Sequence, residues 1–350
     1  MELTRNEIFG QYEALNETYN YFLRKEKEIK EIRKNYKFGS ITFIGSGSSY
    51  YLCKSAEIIC KMHLGMAANS IAAGDLMLNF SHYKRMLNDT LLIMLSRSGS
   101  TSEVILAAQK VKEHFDVPTI SICARTESEL SKMVDLSLEI PWAFDESVCQ
   151  TRTVTNLYTA ILLMSANMLE SEMDKQRLLR DIKNSIENGD KYISDYTSIL
   201  KTISEKETWS KVVILADSEL EGIAAEAALA FKEISNTFSN YYHILDVRHG
   251  PVVLIDQQTL VIIATSPNCV SYQADLVHEL KGKGAEVLII GSQKETEINA
   301  NYKVTIPEYE NYAVRGIPFI FVPQAISFFR AIYRDINPDV PKGLDSWIKL

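Results

Sequence analysis

The chain reads as an α/β protein built from two tandem doubly wound parallel sheets, each a three-layer α/β/α domain. Three observations predict this. Short apolar runs alternate with helical patterns, which is the signature of a parallel sheet covered on both faces. The whole pattern then occurs a second time, at a spacing too long for a solenoid unit and suited to a duplicated domain. Between the copies lies a charged stretch without proline that reads as helix, so the copies are joined by structure and not by a flexible linker.

The elements follow in order. Residues 1–36 are charged and read as helix, with Ile29 and Ile32 on one face. Residues 37–170 form the first unit. It opens with a strand from Ile41 to Ile44, a glycine turn and a helix from about Tyr50 to Leu64. A second strand–loop–helix unit runs from Leu91 to Phe115. The strand PTISICA follows, then a helix-like ESELSKMV, then a fourth apolar run, LSLEIPW, that ends before Ala143. Residues 171–206 are the helical connector. Residues 207–335 repeat the pattern: VVILADSELEG parallels ITFIGSGSSYY, TLVIIATSPN parallels TLLIMLSRSG, and EVLIIGSQKETE parallels TISICARTESE. Residues 336–350 form a tail.

With 46% apolar and 23% charged residues, the 350-residue chain can bury a large core as an ordinary globular protein. A net charge of −8 argues against a broad nucleic-acid or anionic-membrane surface. The five cysteines are odd in number and form no C-x-x-C pair, so neither a disulfide framework nor a zinc site is expected. The start MELTRNEIFG has no signal-peptide pattern. The longest nearly apolar run is read around Ala160 to Leu169, too short to span a bilayer. These features predict a cytoplasmic protein that needs no metal and no cofactor.

The copies differ where they should agree if both bound the same ligand. Copy one carries Gly47, Ser49, Ser96, Ser98 and Gly99; copy two has Ser218, Leu220, Thr265, Pro267 and Asn268 at the matching places. Ligands gather outside the carboxyl ends of strands in open α/β sheets. Two hydroxyl-rich loops of copy one leave there, GSGSSY (45–50) and SRSGST (96–101). Gly47 permits a tight turn, helix N-termini offer free N–H groups, and the hydroxyls add donors; together they suit a phosphate. A third contribution comes from QTRT, which brings Gln150 and Arg152. One such loop alone reads as a set of N-caps and turn formers. Two at equivalent strand ends read as a phosphate cradle. GSGSSY lacks the third glycine of a dinucleotide fingerprint, and there is no P-loop, so a phosphate monoester fits better.

In copy two, Glu221 to Ile234 is a strong helical pattern, with Glu226 and Glu233 on one face, and His249 follows in the turn sequence RHGP. A carboxylate and an imidazole are what an aldose–ketose interconversion needs: one group opens the sugar ring and one moves a proton between C1 and C2. Taken singly, each is an unremarkable surface glutamate or loop histidine.

S-R-S-G-S-T after an apolar strand resembles the S-x-S-G-x-T signature of the sugar isomerase (SIS) domain family, and GSGSSY resembles its first phosphate loop. The resemblance covers most of the chain after about residue 35. It implies that Ser49, Ser96, Arg97, Ser98 and Thr101 hold a sugar phosphate. Gln150 stands where the aminotransferase members have a serine. K-E-I-S with R-H-G-P is similar to the isomerase half of the glutamine–fructose-6-phosphate aminotransferases. That implies Glu233 as the C1/C2 proton carrier and His249 as the ring opener reaching into a partner subunit's site, hence a homodimer.

Three departures shape the expected function. The chain has no room for a glutaminase domain before its sugar domains. Asp345 stands where the aminotransferases place a Schiff-base lysine, with Lys342 and Lys349 nearby but out of register. Ala230 replaces an auxiliary lysine. The tail IYRDINPD resembles that of bacterial fructosamine-6-phosphate deglycases. The expectation is a degradative isomerase or deaminase, deglycase-like, acting on an amino-sugar or ketosamine 6-phosphate. A plain aldose–ketose isomerase and a non-catalytic sugar-phosphate sensor are the rival classes.

Overall fold

Each strand of the first unit is followed by a connection that returns it parallel to its neighbour. The computed structural model describes residues 1–348 and Leu350, with Thr296 described by its backbone alone. The first sheet contains β1 (Ser40–Gly45), β2 (Ala67–Ala72), β3 (Thr90–Ser96), β4 (Thr119–Cys123) and β5 (Leu136–Glu139), in the spatial order β2-β1-β3-β4-β5. The second contains β6 (Lys211–Leu215), β7 (Phe238–Tyr242), β8 (Thr259–Ala264), β9 (Glu286–Gly291) and β10 (Tyr302–Thr305), in the order β10-β9-β8-β6-β7. Read from β7, that is the same winding. All strand pairs are parallel.

The registers match as well. Ser40 pairs with Ala67 on one side and Thr90 on the other; Lys211 pairs with Phe238 and Thr259 in the same way. Ser40 therefore corresponds to Lys211, and counting on makes Gly47 the counterpart of Ser218 and Gly65 that of Asn236. The backbone agrees: Gly47 and Ser218 have φ of 55° and 56°, while Gly65 and Asn236 have 60° and 50°. The helices α4 (Ser48–Leu64) and α11 (Glu221–Ser235) are thus the same element in two copies.

Residue alternation along the strands sorts the core. On β3, Leu91, Ile93 and Leu95 face a large central core while Leu92 and Met94 face an outer one. On β8, Leu260 and Ile262 take the central side and Val261 and Ile263 an outer one. Helices α4, α8 (Arg152–Met168), α11 and α13 (Gly316–Tyr333) fill that central core between the two sheets. Contact between α4 and α11 is direct: a Cβ added at Gly222 would lie 2.1 Å from the Tyr51 carbonyl oxygen, and the Ile223 amide donates to Ser55 Oγ at 3.0 Å.

Several expectations need correction. The N-terminal segment is three helices, α1 (Glu2–Phe9), α2 (Gln11–Arg24) and α3 (Glu26–Asn35), broken at Gly10 and Lys25. The connector is two helices, α9 (Glu172–Glu187) and α10 (Gly189–Ser204). ESELSKMV holds only a 3-10 turn, Ser131–Met133, because tertiary bonds claim its backbone: the Leu130 amide donates to the Gly99 carbonyl at 3.0 Å. The edge strands β2 (AANSIA) and β7 (FSNYY) carry no alternating apolar pattern and leave no periodic signal. The longest apolar segment is also not Ala160–Leu169. Tyr312–Tyr333 is long and apolar enough to cross a membrane by length and composition, but 83% of its apolar window is buried among the other helices, as a core helix is.

Candidate active site

At the carboxyl end of the first sheet, two glycines let the phosphate-loop backbone turn. A Cβ at Gly45 would lie 2.8 Å from the Ser49 backbone, so glycine is what lets α4 begin directly over β1. Gly47 sits at positive φ beside open space, and no side chain caps the first turn of α4. The amides of that turn, and the positive end of the helix dipole, are therefore turned toward the cavity wall formed by Ser46, Gly47 and Ser48. The second loop holds itself. Ser96 Oγ accepts from the Gly99 amide at 2.9 Å, and Ser98 Oγ accepts from the Ser100 amide at 3.2 Å and lies 3.5 Å from Thr101 Oγ1. Thr101 precedes α7 (Ser102–His114) as an N-cap whose hydroxyl makes no capping bond, and it lines the cavity.

A cavity of about 190 Å³ joins these loops to copy two, with Gln150 and Glu233 among its walls. Gln150 Oε1 is buried and unpaired there. Glu233 lies in the last turn of α11, and burial pushes its carboxyl up to about 7, against the opposing pull of Arg97 and Lys232. Glu226, two turns earlier, is fully buried; burial first and the neighbouring Glu233 charge second hold its carboxyl well above the usual range, with Ser48 opposing.

Five predicted residues of copy one do not line this cavity: Ser49, Ser96, Arg97, Ser98 and Arg152. Arg97 is 3% exposed, and its guanidinium donates to the carbonyls of Ser147 and Val148, each at 3.0 Å, and to that of Ser346. Its hydrogen bonds fasten the loop before α8 and the C-terminal tail, and it does not line the cavity. Arg152 Nη2 donates to the Phe144 carbonyl at 2.5 Å, and its amide is capped by Asp145, so it secures the start of α8 outside the cavity. Gly47 and Ser49 belong to the first loop, but Ser49 is buried within α4 and does not line the cavity itself.

His249 is not brought to Glu233 within one chain. It lies exposed in the turn after β7, its amide bonded to the Asp246 carbonyl at 2.8 Å, and it lines neither cavity that Glu233 lines. Near it in sequence, Phe238, Val253 and Leu254 are 86%, 79% and 60% exposed, a concentration of bare apolar side chains around β7 and the following turn.

The tail supplies what sequence reasoning missed. Leu344, Asp345, Ser346, Trp347 and Ile348 line the cavity with the phosphate loops. Trp347 stacks against Arg125, whose guanidinium carbon is 5.5 Å from the indole centre and 4.9 Å from the Phe144 ring. A tryptophan in the short C-terminal tail was the available signal. Lys342 opens instead on a second cavity of about 470 Å³, on the other side of Glu233 and Leu344, with Lys232, Asn236 and Asn337. Lys349 lies outside the described residues. No group of three or more His, Cys, Asp or Glu suited to a metal occurs among the described residues.

Comparison with known proteins adds an independent line. The SIS domain model matches residues 36–166 and again 207–328. Glutamine–fructose-6-phosphate aminotransferase of Wigglesworthia glossinidia brevipalpis is 26% identical over 348 residues, covering 97% of this chain but 55% of that protein. The chain thus spans about half the length of such relatives. D-galactosamine-6-phosphate deaminase of Shewanella sp. is 27% identical over 315 residues, covering 86% of this chain and 77% of that protein. Among solved structures, glucosamine-6-phosphate deaminase of Thermotoga maritima superposes with a TM-score of 0.78 at 25% identity, covering 99% of both chains. Tagatose-6-phosphate ketose/aldose isomerase of Escherichia coli superposes at 0.84, with 19% identity, 99% of this chain and 97% of that one.

Proposed function

The chain belongs to the SIS domain family, and from that premise we propose that it is a degradative phosphosugar enzyme that releases an amine from an amino-linked sugar 6-phosphate. The observation that carries this reading is the position of Glu233. It stands between a hydroxyl- and amide-lined cavity on one side and a larger cavity on the other, and it lines both. A sugar phosphate anchored at Thr101 and the first turn of α4, with Ser98 behind Thr101, would extend its C1 end to Glu233. The amine substituent would then occupy the cavity of Lys232, Asn236 and Lys342. The named relatives include deaminases of galactosamine 6-phosphate and glucosamine 6-phosphate beside a ketose/aldose isomerase, so amine release is within the chemistry of proteins like this one.

The chemistry follows from one carboxyl group near neutrality. As carboxylate, Glu233 takes a proton from the carbon beside the carbonyl of a ketosamine, leaving an enaminol. As carboxylic acid, it returns the proton to the neighbouring carbon, and the nitrogen becomes part of an imine. Water adds across that C=N bond and the amine leaves. A carboxyl with its pKa at about 7 is populated in both forms at neutral pH, which suits this exchange. A substrate that brings its own amine has no use for a Schiff-base lysine, and Asp345 stands at that position. Ring opening falls to His249. Since it lies off the Glu233 cavities of its own chain, it would act in the site of a second copy, seated through the bare side chains of Phe238, Val253 and Leu254.

A proton NMR time course in deuterated water tests the proposal. The panel holds glucosamine, galactosamine, fructose and fructosyl-amino-acid 6-phosphates. Amine release from one of them is expected. Deuterium entering C1 or C2 without amine release would replace the reading with a plain isomerase. No change in any sample, with binding still detectable by thermal shift, would replace it with a sensor.

A further inference from the structure

The second copy has a cavity of its own at the place equivalent to the first copy's phosphate loops. By the shared register, Ser48 corresponds to Glu219 and Glu233 corresponds to Met62. Ser48 and Glu233 line the first cavity. Glu219 and Met62 line a separate one of about 450 Å³, together with His63, Arg177, Asn311 and Tyr312. The duplication has therefore produced two cavities related by the exchange of α4 and α11. Helix α4 begins at the first and ends at the second; α11 begins beside the second and ends at the first.

The chemistry of the second cavity is reversed. A hydroxyl has become a carboxylate, and the equivalents of Ser49 and Ser98 are Leu220 and Pro267. Burial opposes ionisation of Glu219, but the His63 imidazole 3.7 Å away and the Ser218 hydroxyl at 2.5 Å outweigh it and hold the carboxyl below its ordinary range. A buried carboxylate at this point repels phosphate and attracts a cation. Asp174 and Glu310 add negative charge at the wall, where Arg177 pairs with each of them at 3.6 and 3.5 Å. The cavity is also polar enough to hold a hydrogen-bonding ligand. The Tyr312 hydroxyl is buried with no partner, and the Asn311 side chain stands beside it on the wall. The turn that presents Glu219 keeps Ser218 at a φ of 56°, a conformation that glycine supplies without strain in copy one.

We propose that this cavity is a second small-molecule site, specific for a phosphate-free polyol carrying an amine. The ammonium would sit against Glu219, and the hydroxyls would meet Tyr312, Asn311 and His63. The site does not depend on which reaction the first cavity performs.

Calorimetric titration of the full chain with D-glucosamine tests it, alone and with saturating glucosamine 6-phosphate. The expected result is saturable binding, one equivalent per chain, retained when the phosphosugar is present and unaffected by inorganic phosphate. Glu219→Gln should weaken it at least tenfold. Met62→Trp should block it by volume at an exposed position that leaves Glu219 intact. Absence of saturable binding would overturn the proposal. So would displacement by glucosamine 6-phosphate, loss in Ser98→Ala, or unchanged binding in both Glu219→Gln and Met62→Trp, since each would assign the ligand to another place.

Discussion

At the carboxyl end of β1 the chain places Ser46, Gly47 and Ser48 beside Thr101; at the equivalent end of β6 it places Ser218 and Glu219 beside Tyr312. The strand order, registers and positive-φ turns are shared by the two regions. What differs is a handful of side chains at the strand ends: glycine and hydroxyls at the first cavity, a buried carboxylate at the second. The lesson is that the α/β scaffold fixes where a ligand can sit, while the loop residues decide which ligand it is. The copies also cooperate. The first lines its cavity with Ser46, Gly47, Ser48 and Thr101, and α11 of the second brings Glu233 to the same wall; on the proposed reading these are the anion cradle and the proton carrier.

This comparison can be broken or sharpened by substitution. The largest effect is expected from Glu233→Gln. General acid–base groups contribute about 10²- to 10⁴-fold, so turnover should fall at least a hundredfold, while sugar-phosphate affinity measured by calorimetry changes little. Turnover that survives would separate Glu233 from the chemistry and make the copies independent.

Next comes the phosphate grip. Thr101→Ala should weaken sugar-phosphate binding by about tenfold to a hundredfold, since one hydrogen bond to a charged group contributes roughly 1.5–3 kcal/mol. The control in the other copy, Glu219→Gln, should leave that affinity unchanged. Equal losses from both would mean that the two regions do not divide the labour.

Arg97→Ala should destabilise the fold by about 2–4 kcal/mol, because buried carbonyls of Ser147 and Val148 lose their donor. The readout is chemical denaturation, and the tail that bonds Arg97 through Ser346 should become more susceptible to protease.

The smallest effect is the pH dependence of stability. Glu233 has a folded-state pKa of about 7 against an ordinary 4.5, so the native chain binds the extra proton between those values. The stability tied to that proton is full below the ordinary value and is lost as pH rises through about 7. Glu233→Gln removes this loss. It should raise the melting temperature by a few degrees at pH 8 and leave it nearly unchanged at pH 4. An equal shift at both pH values would mean that Glu233 is not held in the buried environment described for α11.

Much of the architecture was legible because repetition is legible. Alternating apolar runs and helical patterns reported the parallel sheets, and GSGSSY with SRSGST reported the cradle, because hydroxyls and glycines at strand ends leave a local mark. The edge strands β2 and β7 left none, since neither AANSIA nor FSNYY alternates apolar with polar residues. The periodicity of ESELSKMV misled because the Gly99 carbonyl takes a backbone amide that a helix would have used. Periodicity and repetition determined the fold class and the duplication; the resemblance of K-E-I-S and R-H-G-P to the aminotransferase isomerase half singled out Glu233 and His249.

Only the tertiary structure decided the surroundings of these residues. It turned Arg97 into a fastener of loop and tail, brought Trp347 and Leu344 to the cavity, and left His249 on an exposed turn. It also showed that α4 and α11 each run between two cavities. The reason is physical. A side chain's hydrogen-bond partners, the water removed from a carboxyl and the walls of a cavity all come from residues far apart in the chain, and no local pattern records them.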